Sequence, residues 1–210
     1  MDFRKHLGLL MLVLVAVLAF YGRPVDACSC YPAHPQTHFC QADYVVQLRV
    51  LRKSDTIEPG KSTYKVQLKR TYKATPEARR MLRDGRLATP LADSMCGMKL
   101  DIGKVYIIAG KMPALNVCHY VKEYIKMTKT ERHGFSGGYA KSCSCTVTPC
   151  FRDACLKGPN YVDECRWSPR AKCETDFSAC MPHKINTKHG IVSRCHWRRT
   201  QLYRKCRSDP

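Results

Sequence analysis

No His-Glu-x-x-His pair and no phosphate-cradling glycine-rich loop occurs in this chain. Their absence removes the signatures of zincin proteases and nucleotide-binding enzymes. No Asn-x-Ser/Thr is present, so there is no acceptor for an N-linked glycan. Cys-x-x-Cys spacing is missing as well, which argues against a structural zinc site. Internal repeats and low-complexity tracts are absent, and so is a second long apolar run. Acidic side chains are scarce: 17 Asp plus Glu stand against 36 Lys plus Arg.

The single apolar run, Leu7–Phe20, is too short for a relaxed transmembrane helix, which needs about 20 residues. Arg4 and Lys5 precede it, and Val25 and Ala27 supply the small residues of a signal-peptidase site. Residues 1–27 therefore read as a signal peptide, and a secreted protein without a membrane span is expected. Cleavage after Ala27 makes Cys28 the first mature residue. Its free α-amine, beside its own carbonyl oxygen, then offers a bidentate grip on a metal ion.

Fourteen cysteines follow the leader. In a secreted chain this density reads as a disulfide framework, and their number alone leaves the pairing open. Net charge is +19 for the whole sequence; the leader's three basic and two acidic residues leave +18 on the mature chain. Such a surplus seeks polyanions. Outside the cell these are sulfated glycosaminoglycans, and the secretory route disfavours nucleic acid.

Strand patterns fill the first part of the mature chain. Tyr44–Leu51 is rich in β-formers, and Lys104–Ala109 is an apolar run between Gly103 and Gly110. Over 64–73, Tyr64, Val66, Leu68 and Tyr72 alternate with Lys65, Gln67, Lys69, Thr71 and Lys73. His119–Tyr124 is a further candidate strand. Thr75-Pro76-Glu77 predicts a short helix ended by Gly85, and a weaker one is expected near 128–133. His34 and His38 are four apart, but Pro35 between them opposes a helix that would align them for a metal. This pattern fits a mainly β fold, either a small OB-type barrel or a β-sandwich. From Cys145 onward long strand patterns vanish and eight cysteines crowd the chain. The domain organisation read from this is 28–144 and 145–210, the second a small module relying on bridges more than on a core.

Cys28-Ser29-Cys30-Tyr31-Pro32-Ala33-His34-Pro35-Gln36, with Phe39-Cys40-Gln41-Ala42-Asp43, resembles the start of the tissue inhibitors of metalloproteinases. Cys96-Gly97, Leu100-Asp101-Ile102-Gly103, Tyr106–Lys111, the Cys143/Cys145/Cys150/Cys155 spacing, Asp163-Glu164-Cys165-x-Trp167 and Cys195-x-Trp197 continue the resemblance in order. It implies an OB-type (netrin-like) barrel followed by a small disulfide-rich C-terminal domain. It further implies the pairs Cys28–Cys96, Cys30–Cys118, Cys40–Cys143, Cys145–Cys195, Cys150–Cys155 and Cys165–Cys180. Cys173 and Cys206 depart from the family pattern and are left to pair with each other. Each bridge contributes about 2–4 kcal/mol. Gly137-Gly138 also departs from the family's more helical segment.

The resemblance implies a mechanism: the amine and carbonyl of Cys28 displace water from the open zinc position of a target protease. Ser29 points into the specificity pocket, and Cys30, Tyr31 and Pro32 run along the cleft. Asp93, Ser94 and Met95 form a second contact segment beside Cys28, and Gln41 is also carried over as protease-binding. The expected partners are matrix metalloproteinases and related metzincins. The protein is expected to be a monomeric regulator of matrix turnover with no cofactor of its own, and not an enzyme. Lys65, Lys69 and Lys73 on one strand face, with Arg194, Arg198, Arg199, Arg204, Lys205 and Arg207, are the candidate matrix-binding residues. Two other readings are a netrin-like binding module of a larger assembly and a basic matrix protein or growth factor.

Overall fold

The computed structural model describes residues 28–54, 59–112, 114–157, 161–188 and 190–208, with Gly8 and Met11. The leader read at 1–27 lies outside the described residues apart from those two. Among the described residues no helix is long and apolar enough to cross a membrane.

A five-stranded antiparallel sheet organises the first part of the chain. Its strands are β1 (Tyr44–Ser54), β2 (Lys61–Ala74), β3 (Arg86–Pro90), β4 (Val105–Gly110) and β5 (Tyr120–Glu123), in the order β3-β2-β1-β4-β5. The β-rich run at Tyr44 forms the central strand because it can bury both faces. Tyr44, Val46, Leu48 and Val50 enter one core with Tyr64, Val66, Leu87 and Ile108. Val45 faces a second core with Phe39, Ile107, Ala109, Phe135 and Tyr139. β3 and β5 are the sheet's edges, and no ladder joins them among the described residues. The Leu115 N–H, in the connection between β4 and β5, donates to the Ala88 carbonyl of β3 at 2.8 Å. Pro90 lacks a donor and closes β3.

The alternation read along β2 holds only in part. Tyr64, Val66 and Leu68 pack in the first core, whereas Tyr72 packs in the second. The reason is bulging: the β1–β2 register shifts between Val45 and Val46 and again between Gln47 and Leu48. Each extra residue turns the following side chains to the opposite face.

Helix α1 (Pro35–Gln41) corrects the reading of Pro35. Proline is unfavourable inside a helix but suits its first turn, where an N–H has no intrahelical acceptor. His34 caps it: ring Nδ1 accepts the Gln36 N–H at 3.1 Å. The same proline displaces His34 from the helix, so His34 and His38 do not form a helical pair. Helix α2 (Pro76–Arg83) is capped by Thr75, and Gly85 ends it with φ 60°. Helix α3 (Lys129–His133) starts with a capping box between Thr128 and Glu131 and runs into a π-helical turn, Gly134–Gly138. Gly134 is required there because a Cβ would lie 2.3 Å from the Tyr139 ring.

The remaining chain forms β6 (Thr146–Pro149) parallel to β7 (Glu164–Trp167), and the hairpin β8 (Cys180–Thr187) with β9 (Gly190–Trp197). Helices α4 (Asp153–Lys157), α5 (Lys172–Phe177) and α6 (Gln201–Ser208) complete it. The two eight-residue strands correct the view that strands vanish after Cys145. They lie mostly exposed, so solvent imposes no apolar alternation for a pattern search to find. The core here is built from half-cystines and tryptophan: Cys145, Val147, Cys165, Trp167 and Cys180. Both indole N–H groups are satisfied, Trp167 on Thr175 Oγ1 and Trp197 on the Arg166 carbonyl.

Seven disulfides are formed: Cys28–Cys96, Cys30–Cys118, Cys40–Cys143, Cys145–Cys195, Cys150–Cys155, Cys165–Cys180 and Cys173–Cys206. The sulfurs of Cys145, Cys180 and Cys195 lie within 4.8 Å of one another. All three are oxidised, so none offers a thiolate to a metal.

His34 and Gln36 join the first part of the chain to the last. His34 is fully buried beside Trp167 and Trp197, and its Nε2–H donates to the Glu174 carbonyl at 3.1 Å. Gln36 donates to the Ser142 and Cys180 carbonyls and accepts the Cys180 N–H. Burial, opposed by the Glu174 bond and reinforced by His38, lowers the His34 pKa to about 4. The unfolded value is near 6.5, so the fold favours the neutral ring. Its contribution is complete above pH 6.5 and is lost as pH falls from 6.5 to 4. The loss amounts to about 3 kcal/mol. Urea midpoints compared at pH 7 and pH 4 should register it. His34→Asn, which keeps a capping acceptor, should reduce the slope there and leave the share of His38, whose pKa is lowered as well.

Candidate functional site

The segment 28–34 carries no regular structure of its own and is fixed from outside. Cys28 and Cys30 are bonded to Cys96 and Cys118, with Cα separations of 5.6 and 5.2 Å. Ser29 stands exposed between these anchors, Cys30 and Tyr31 are exposed as well, and Pro32 is half-buried. Beyond Pro32 the chain dives to buried His34 and into α1.

Cys96 closes a single 3-10 turn, Asp93–Met95, whose three residues are all exposed. Among the described residues Cys96 alone of the non-glycines has positive φ, 62°. Its N–H bonds the Asp93 carbonyl at 3.0 Å, and the Gly97 N–H bonds the Ala92 carbonyl at 3.2 Å. Gly97 admits no side chain, since a Cβ would lie 2.3 Å from the Pro90 carbonyl oxygen. Met98 N–H donates to buried Thr89 Oγ1 at 2.8 Å. The loops carrying Cys96 and Cys118 are themselves joined: Val117 N–H donates to the Cys96 carbonyl, and Asn116 Oδ1 accepts the Cys118 N–H. The Lys99–Asp93 pair at 3.0 Å is exposed and contributes little.

The result is an exposed edge of two short segments, 28–32 and 93–95, held side by side by one covalent bond. Thr89 and Asn116 buttress it, although single polar residues in loops carry no signal in one sequence. Gly97 was legible only as part of the Cys96-Gly97 dipeptide.

A cleft of about 490 Å³ adjoins this edge, lined by Tyr31, Pro32, His38, Gln41, Lys111 and His119 among others. Gln41 is exposed and reaches the edge only through this cleft. Burial, His119 and Lys111 lower the His38 pKa to about 4, and burial and Lys111 lower that of His119. His38 is therefore neutral at pH 7.

The basic candidates separate by environment. Lys65 donates to the Asp84 carbonyl at 2.6 Å. Lys73 donates to the Phe39 and Cys40 carbonyls, and burial lowers its pKa. Lys69 stands exposed. Arg194, Arg198, Arg199, Arg204, Lys205 and Arg207 are all exposed. Arg199, Arg204 and Arg207 share an open cleft with Tyr203 and Ser208. The bond Cys173–Cys206 ties the helix bearing Arg204, Lys205 and Arg207 to α5.

Comparison with known proteins finds relatives of this chain. A family described as Tissue inhibitor of metalloproteinase matches residues 26–197. A Drosophila melanogaster protein named Tissue inhibitor of metalloproteinase is 75% identical over 210 residues, all of both chains. Metalloproteinase inhibitor 4 of Mus musculus is 26% identical over 211 residues, covering 92% of this chain and 90% of its own. Metalloproteinase inhibitor 2 of Canis lupus familiaris is 30% identical over 176 residues, covering 78% and 76%.

Proposed function

The chain belongs to the tissue inhibitor of metalloproteinase family, and from that premise we propose that it inhibits zinc metalloproteinases through the amine and carbonyl of Cys28. It is an inhibitor, not an enzyme. The observation that carries the mechanism is the double pinning of an exposed N-terminal segment, Cys28 to Cys96 and Cys30 to Cys118. Removal of residues 1–27 frees the Cys28 amine. Amine and carbonyl oxygen then take the open coordination position that a catalytic zinc keeps for water.

Ser29 follows into the specificity pocket, and Cys30, Tyr31 and Pro32 lie along the cleft. Asp93, Ser94 and Met95 contact the enzyme beside them, with Gln41 at the margin. No peptide of the inhibitor is cut, because the zinc position that activates water is occupied by the amine. The bridges hold the bound conformation in advance and so reduce the ordering cost of association. The five-stranded antiparallel sheet supports an OB-type reading of 28–144, followed by a disulfide-rich unit at 145–210. The protein acts as a secreted monomer on matrix metalloproteinases and related metzincins and limits matrix turnover.

N-terminal sequencing of the secreted protein, with titration against a purified metalloproteinase, tests this reading. Cys28 at the N-terminus with stoichiometric inhibition supports it; a mature protein that leaves the enzyme fully active ends it.

A second property follows from the exposed basic residues near the C-terminus: retention on sulfated glycosaminoglycans. Charge dominates such contacts, so retention should fall steeply with salt. Arg199→Gln with Arg204→Gln and Lys205→Gln should lower the salt needed to elute the protein from heparin. Lys65→Gln with Lys73→Gln should matter less, because both amines are already engaged by carbonyls. Failure of the parent protein to bind heparin at physiological salt leaves the charge as a solubility feature.

A further inference from the structure

Phe151 lies outside every residue set assigned above, yet it touches the inhibitory edge. Its ring meets that of Tyr31 edge-on, with centroids 5.9 Å apart and planes inclined at 70°. Both side chains remain largely in water, Tyr31 at 71% and Phe151 at 62% exposure. A single exposed aromatic needs no explanation. Two of them, brought together from distant parts of the chain and still uncovered, leave a large apolar area free for a partner.

Each ring is also held in place. Tyr31 follows Cys30, which is bonded to Cys118. Phe151 follows Cys150, which closes a short loop with Cys155. The Cys150 N–H bonds the Trp167 carbonyl at 2.6 Å, anchoring that loop to β7. An aromatic fixed by its backbone loses little freedom on binding, and such residues dominate interface energies.

Distance identifies the partner. Tyr31 is three residues from Cys28, and three residues of chain span at most about 10 Å. An enzyme that accepts the Cys28 amine at its zinc therefore passes over Tyr31, and Phe151 stands against it. We propose that Tyr31 and Phe151 form one aromatic contact that seats an apolar patch on the rim of the target protease's cleft and sets which metalloproteinases are held tightly. This rests on the inhibitory reading above. It adds a specificity-determining residue from the C-terminal part of the chain.

The test uses the full mature chain with Phe151→Ala, Tyr31→Ala, the double variant and Phe151→Leu, against a panel of metalloproteinase catalytic domains. Free-thiol assay and near-UV circular dichroism confirm that each folds, as an exposed position permits. Phe151→Ala should raise the inhibition constant roughly tenfold for the target bound most tightly by the parent. Phe151→Leu should recover part of the loss. The double variant should lose less than the product of the single losses, because each ring braces the other. Unchanged inhibition constants across the panel for Phe151→Ala overturn the proposal while leaving the inhibitory reading intact. A parent protein that inhibits none of the panel overturns both.

Discussion

Retaining one extra residue ahead of Cys28, or acetylating its amine, is expected to abolish inhibition while leaving all seven disulfides in place. The extra peptide removes the lone pair and puts an atom where the enzyme's zinc requires space. The fold has no stake in that nitrogen, because segment 28–34 is fixed by its side-chain bridges and by α1. The loss should reach a thousandfold or more, roughly 4 kcal/mol of binding free energy. An inhibition assay on the extended and native forms, each checked for free thiols, measures it. Full potency in the extended form sinks zinc chelation by the amine, whatever else the edge does.

The same nitrogen sets a pH dependence. A free α-amine has a pKa of about 7.7–8.0 and binds a metal only when neutral. The protonated fraction grows as pH falls, so coordination must displace a proton. Affinity should then weaken by up to about tenfold per unit below that pKa. His34 titrates in a lower window, between 6.5 and 4, and acts on stability rather than on the amine. Inhibition should therefore weaken between pH 8 and 6.5 with no change in the urea midpoint from this histidine.

What could be read in the sequence tracks how strongly burial disciplines each segment. β1 and β4 were legible because Val45, Val46, Ile107 and Ile108 are buried and their β-branched runs stand out. α2 was legible because Thr75, Pro76 and Gly85 mark its ends. α1 was hidden by Pro35, whose effect reverses between a helix interior and its first turn. The β8–β9 hairpin was hidden because its faces meet water on most positions. Tyr72 was placed on the wrong face because bulges leave no trace in alternation. Of the site, the Cys28 amine was legible from the cleavage site, whereas the cysteine pairing, the role of Ser29 and the 93–95 segment came from family resemblance. The buttressing by Thr89, Gly97 and Asn116 depends on loop geometry that no periodicity encodes. Phe151 was invisible for the same reason: its partner Tyr31 is distant in sequence, and only the folded chain brings the two rings together.

A chain of residues 28–144 should remain an inhibitor but a weaker and much less stable one. It keeps Cys28–Cys96, Cys30–Cys118 and Cys40–Cys143, and with them both exposed segments. It loses the partners that α1 and α3 find in the last part of the chain. His34 loses the Glu174 carbonyl, Gln36 loses both bonds to Cys180, and Thr128 Oγ1 loses the Asp176 carbonyl at 2.5 Å. At about 1 kcal/mol each these four bonds amount to about 4 kcal/mol, before counting the contact of Ala179 with the Phe39 core. Urea denaturation of the fragment and the full chain measures that difference. Inhibition separates two causes. Phe151 is absent from the fragment, so its inhibition constant should rise by the same factor as Phe151→Ala in the full chain. A rise no larger than that would locate the whole contribution of the C-terminal part in one ring. An unfolded fragment would show that His34 and Gln36 make the two parts a single folding unit, against a boundary at residue 144.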